Sequence, residues 1–167
     1  SLTSWRTMGE ITLWRRANLG PEGRPGFIYA GHGIGAIAED GTPLWQVDAG
    51  EAGSILDPIL DLVTVRLEGD SDHVLATTVR GDALLLSGAA GSLVWSRALS
   101  YHDERRAELV LLGDEDEPLF FSVFGKSIHY VRTGERAWNH GLESPVLFAH
   151  SLSRGEGQAP LVILAID

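Results

Sequence analysis

The stretch Arg80-Gly-Asp-Ala-Leu-Leu-Leu-Ser-Gly-Ala-Ala-Gly-Ser-Leu-Val-Trp95 decides the fold. Two short apolar runs, Ala83–Leu86 and Leu93–Ala98, flank a Gly- and Ser-rich turn, which is the pattern of a β-hairpin. The run Leu84-Leu85-Leu86 has no polar alternation, so its strand is expected to be covered on both faces. Its closing frame, Gly91-Ser-Leu-Val-Trp95, recurs as Gly41-Thr-Pro-Leu-Trp45 and as Gly134-Glu-Arg-Ala-Trp138. Together with Trp14, these tryptophans are 31, 50 and 43 residues apart.

A second frame runs out of phase with the first. Leu19-Gly-Pro-Glu-Gly, Leu67-Glu-Gly-Asp-Ser-Asp, Leu112-Gly-Asp-Glu-Asp and Leu152-Ser-Arg-Gly-Glu-Gly each precede an apolar run. Two interleaved markers with a common period of roughly 45 residues point to a repeat architecture. Between them lie short runs rich in Val, Leu, Ile, Phe and Thr, bounded by Gly, Asp and Pro, and none sustains a helical period.

The expected strands are Ile11–Leu19, Phe27–Ala30, Ile34–Ala38 and Leu44–Val47 in a first set, then Leu62–Leu67, Val74–Val79, Ala83–Leu86 and Leu93–Ala98 in a second. A third set is Glu108–Leu112, Leu119–Phe124, Ser127–Val131 and Ala137–Asn139, and a fourth begins with Val146–Leu152 and Leu161–Ile166. Four-stranded antiparallel units repeated without helices predict an all-β fold, a β-propeller. The expected blades span 9–50, 58–100, 106–142 and 145–167, the last incomplete. About three and a half blades suggest part of a larger propeller. A β-sandwich would show one solvated, alternating face and no such period.

Composition narrows the function classes. The chain has 167 residues, enough for one domain with a substantial core. It has no Cys, which excludes disulfides and thiolate sites. Its net charge is −10, with Lys126 as the one lysine, so the clustered cations that bind nucleic acid through counterion release are missing. No apolar stretch approaches the roughly 20 residues of a membrane-spanning helix, and no export signal is expected within the sequence given.

The segments 80–95 and Gly125-Lys-Ser-Ile-His-Tyr-Val-Arg-Thr-Gly-Glu-Arg-Ala-Trp138 resemble the repeat of PQQ-like (quinoprotein-like) propellers. The resemblance implies that Trp45, Trp95 and Trp138 pack between adjacent blades, each over the peptide of Gly41, Gly91 or Gly134, as a structural girdle. Only Thr133 keeps that family's threonine. The resemblance also implies an extracytoplasmic location. The acidic turns, with Asp70, Asp72, Asp114 and Asp116, resemble the calcium-binding hairpins of FG-GAP-type propellers. Calcium takes six to eight oxygens around a sharp glycine turn. Neither turn supplies the third aligned Asp or the Gly, so solvated hairpin tips are the preferred reading.

Catalysis would need convergent acid, base or nucleophile groups. His32, His73, His102, His129, His140 and His150 are scattered, with no metal-like spacing. Gly31-His-Gly-Ile-Gly precedes a strand instead of the helix that a phosphate loop needs. No cofactor and no catalytic site are therefore expected. The most charged stretch, Tyr101-His-Asp-Glu-Arg-Arg106, links the second and third units on one face. Tyr101, His102, Arg105 and Arg106, with Asn139 and His140 at a comparable place, form a candidate interaction rim. The leading expectation is a non-catalytic scaffold for protein partners or for the remaining blades of the same or a second chain. The alternative is a calcium- or carbohydrate-binding propeller, part of an enzyme.

Overall fold

A computed structural model describes residues 11–31, 33–47, 58–99, 109–112, 118–122, 127–139, 146–152 and 161–166. The first sheet comprises β1 (Leu13–Leu19), β2 (Arg24–Ala30), β3 (Ile34–Ala38) and β4 (Pro43–Val47). The second comprises β5 (Ile59–Val65), β6 (His73–Thr78), β7 (Asp82–Leu86) and β8 (Leu93–Ala98). The third comprises β9 (Leu109–Leu112), β10 (Leu119–Ser122), β11 (Ser127–Tyr130) and β12 (Arg136–Asn139). A two-stranded sheet joins β13 (Val146–Leu152) to β14 (Leu161–Ile166).

Strands follow chain order within each sheet, and every pairing is antiparallel. This is the meander that short, locally connected strands form when each hairpin closes on its neighbour. The first strands succeed one another: β1 touches β5, β5 touches β9, and β9 touches β13. They line one side of the assembly, and the fourth strands lie on the other.

The second sheet explains the leucine run. Strand residues alternate between faces, and the register places Val74 opposite Leu86, Ala76 opposite Leu84 and Leu75 opposite Leu85. Val74, Ala76, Leu84 and Leu86 pack with Leu19, Ile28 and Ile34 of the first sheet. Leu75, Ala83 and Leu85 pack with Leu109, Phe120 and Val131 of the third. The core is thus two apolar layers, one on each side of the second sheet, and its inner strands β6 and β7 have no solvated face to encode, whereas the outermost strand β8 is largely exposed.

Among the strands whose boundaries differ from the sequence reading, β5 and β2 do so for identifiable reasons. β5 starts at Ile59, earlier than the expected Leu62, because Ile59 donates to Gly31 O across sheets (3.1 Å) and pairs with Thr78. It ends at Val65 because Arg66 turns away to Asp72. β2 starts at Arg24 and runs through Pro25, whose missing N–H is tolerated opposite Asn18 while its carbonyl accepts from Glu39 N.

Candidate protein-interaction site and the seams between sheets

The tryptophan frames build the same device twice. Trp45 in β4 and Trp95 in β8 each lie opposite the residue before a β-bulge, Ala36 in β3 and Leu85 in β7. Trp138 has the same register opposite Ile128, again just before a bulge. The indole of Trp45 lies over Gly91, where an added Cβ would come 2.5 Å from the ring. Trp95 lies over Gly134, with 2.9 Å to the corresponding Cβ. The seated glycine therefore belongs to the sheet that follows, and Gly41, at the equivalent turn of the first sheet, has nothing within 4 Å above it.

Each seat is closed by a hydrogen bond. Trp45 Nε1 donates to Gly88 O (2.8 Å), and Trp95 Nε1 donates to Val131 O (2.9 Å). Both acceptors lie three residues before the seated glycine, in turns tied by Gly91 N to Ser87 O and by Gly134 N to Tyr130 O. Gly91 and Gly134 have φ of 69° and 68°, a left-handed conformation that costs an ordinary residue about 1–2 kcal/mol. A glycine here supplies both the turn and a flat platform for the indole.

Carboxylates stitch the seams. Asp72 accepts from Asn18 N through Oδ2 (2.7 Å) and from Arg66 Nε through Oδ1 (2.7 Å), while its own N–H donates to Asn18 O (2.7 Å). Ser71 Oγ donates to Gly20 O beside it. Asp61 of β5 accepts from Leu109 N of β9 (2.8 Å) and faces Arg15 of β1 at 3.6 Å, so one side chain joins three successive first strands. The sequence reading passed over Asp61; the available signal was a carboxylate inside the apolar run Ile59-Leu-Asp-Leu-Val63.

His129 completes a stack. Its ring lies 5.1 Å from Phe120, which lies 6.1 Å from Trp95, both pairs nearly parallel. Nε2 is 2.7 Å from Ser127 Oγ and Nδ1 is 3.2 Å from Gly134 O. Burial pushes its pKa below the ordinary 6.5, with the Gly134 bond opposing and Arg136 assisting. His73 is also shifted down, by burial first and by Arg132 next, against Asp72 and Glu68.

The other expected site residues fall as follows. Asp70 and Asp72 lie in the turn before β6. Both oxygens of Asp72 are engaged across the seam, and no group of three or more metal-ligating side chains gathers among the described residues. Asp114 and Asp116 lie outside the described residues, as do Tyr101, His102, Arg105, Arg106 and His140. Asn139 ends β12, paired with Ser127. The links β8 to β9 and β12 to β13 both run from a fourth strand to the next first strand. β8 and β12, which precede these links, are each the last strand of a sheet with the same order.

No protein-family model matches the chain, and no curated protein matches it in sequence. Among solved structures it is similar to BBS1N, determined in complex with ARL6. That similarity has a TM-score of 0.65 at 14% identity and covers 93% of this chain and 46% of the BBS1N chain. The fold is that of a β-propeller. The four-stranded sheets are its blades, and the chain spans less than half the length of that propeller protein. Among the described residues no helix is long and apolar enough to cross a membrane.

Proposed function

We propose that the chain is about three and a half blades of a larger propeller that serves as a scaffold for protein partners. The observation that carries this reading is the likeness to a propeller solved in a complex with another protein, ARL6. The use of polar side chains supports it: Asp61, Asp72, Ser71 and the two indole N–H groups join blades to one another. The tryptophan seats are in keeping with a PQQ-like repeat, although the glycine that each indole covers is supplied by the next blade.

The partner-binding surface is the rim formed where fourth strands pass to first strands, with Tyr101, His102, Arg105 and Arg106 in one link and Asn139 and His140 in the next. Arginine and tyrosine bind protein surfaces well because they combine broad contact area with directional donors. Pull-down with the full chain is expected to recover a stoichiometric partner, and Arg105→Glu with Arg106→Glu is expected to weaken it at least tenfold. Unchanged binding by that double variant would place the partner elsewhere.

A further inference from the structure

The turn between third and fourth strands is built alike in all three four-stranded sheets. Each closes on a bond of 2.9 Å: Ala38 N donates to Thr42 O, Ser87 N to Ser92 O, and Tyr130 N to Glu135 O. In the second and third sheets the left-handed glycine of this turn, Gly91 or Gly134, carries an indole. The residue that opens the turn accepts that indole's N–H: Gly88 follows Ser87, and Val131 follows Tyr130. Glu39 follows Ala38 in the same way. Its N–H also matches that of Val131, the two donating to proline carbonyls near the start of second strands, Pro25 O (3.1 Å) and Pro118 O (2.9 Å). The first turn is one residue shorter, with Gly41 two residues after Glu39. Gly41 has φ of 83°, and no atom of the described residues comes within 4 Å of a Cβ built on it.

Chain order says where an indole for Gly41 comes from. Trp45 of the first sheet covers a glycine of the second, and Trp95 of the second covers a glycine of the third. Gly41 therefore takes a tryptophan that stands ahead of β1, and Trp5 is the one the sequence has there. Trp14 does not qualify, because it is held within β1 opposite Tyr29. The spacing agrees: Trp138 stands eight residues before β13, and Trp5 stands eight before β1. From the start of β1 the Gly41 turn is about 12 Å across the strands and about 20 Å along them, roughly 23 Å in all. Eight extended residues reach about 28 Å, so the link is long enough. Nor does the charge beside this turn stand in the way. Arg97 shares the Gly134 seat with its indole, its Cγ 2.8 Å from the Cβ position, so the Arg16–Glu39 ion pair is compatible with an indole at Gly41.

We propose that Trp5 is the indole of the Gly41 seat, its Nε1 donating to Glu39 O, so that the segment 1–8 docks on the outer turn of its own chain's first sheet. Trp5 itself lies outside the described residues. The docking rests on the two occupied seats and not on the rim or its protein partner, so either reading can fail alone. A terminal segment lifts off without opening the sheets. A side chain at Gly41 thus displaces Trp5, and its cost to global unfolding stays close to that of the turn.

Indole N–H signals in a 1H–15N correlation spectrum of the full chain test the docking, the Trp5 signal being the one lost in Trp5→Phe. This N–H is expected to exchange with solvent at least tenfold more slowly than that of free tryptophan. Gly41→Asn keeps a left-handed turn, which asparagine tolerates, but fills the space above it. It should return Trp5 to the free exchange rate while Trp45 and Trp95 stay protected. The chain has no Cys, so a spin label on Thr42→Cys reports on the seat without touching Gly41, and it is expected to broaden the Trp5 signal. Free exchange of Trp5 in the wild-type chain overturns the docking, as does protection that survives Gly41→Asn or a signal that the label leaves sharp. Protection that fades on dilution overturns it too, since the indole would then come from a second copy. If Gly41→Asn loses the dispersed spectrum of the folded chain, the label decides alone.

Discussion

At Gly91 a methyl group would need space held by the Trp45 indole, on a backbone that already disfavours side chains. Gly91→Ala and Gly134→Ala are therefore expected to cost about 2–4 kcal/mol each, the sum of left-handed strain and overpacking. Gly41→Ala, with the same sign of φ and open space above it, should cost only about 1 kcal/mol. Denaturant unfolding of the three variants gives the comparison, and equal losses would dismiss the seats. A second residue-scale expectation concerns His129. Its folded pKa is lowered, so as pH falls the unfolded chain takes up the proton first. Its contribution to stability is complete above the unfolded value of 6.5 and declines as pH drops below it; His73 adds in the same direction. Thermal melts should show Tm falling below pH 6.5, and His129→Gln should flatten that slope even if it lowers Tm overall.

Between elements, the seams are held by few polar groups with specific jobs. Asp72→Ala leaves Asn18 N–H and Arg66 without an acceptor, a loss of about 1–3 kcal/mol. Asp72→Asn keeps an acceptor oxygen for the amide and should lose less; calorimetry of both variants checks the order. Much of the strand pattern was legible in advance: Ile34–Ala38, Leu93–Ala98, Val146–Leu152 and Leu161–Ile166 match the sequence reading, because a turn residue, Gly33, Ser92, Pro145 or Pro160, stands close before each apolar run. β5 begins three residues earlier than read, at Ile59 directly after Pro58, whose carbonyl accepts from Val79 N. The partners of Asp72 and Asp61 were not legible, although a carboxylate inside the apolar run Ile59–Val63 marked Asp61 out. Their partners lie 54 and 48 residues away, and an Asp at a hairpin tip carries no mark that it will reach across to a neighbouring sheet.

For the whole molecule, the acidic turns that suggested calcium read differently once the sheets are side by side. Asp72 is committed to Asn18 and Arg66, so a cation there would have to break a seam to gain a ligand. Millimolar calcium is accordingly expected to leave Tm unchanged; a rise of several degrees that Asp70→Asn abolishes would restore the metal reading. The tryptophan frames showed the period but not the direction of the pairing, since a one-dimensional repeat cannot say whether a glycine serves its own sheet or the one before.

That direction bears on how the chain is made. Trp45 leaves the ribosome well before the turn holding Gly88 and Gly91, and Trp95 before the turn holding Val131 and Gly134. The outermost strand of each newly synthesised sheet must wait, its indole bare, until the following hairpin arrives to receive it. Assembly by chain order is thus built into the seats. Pausing of translation between one sheet and the next would prolong the interval in which a chaperone, or another nascent copy, meets an uncovered tryptophan.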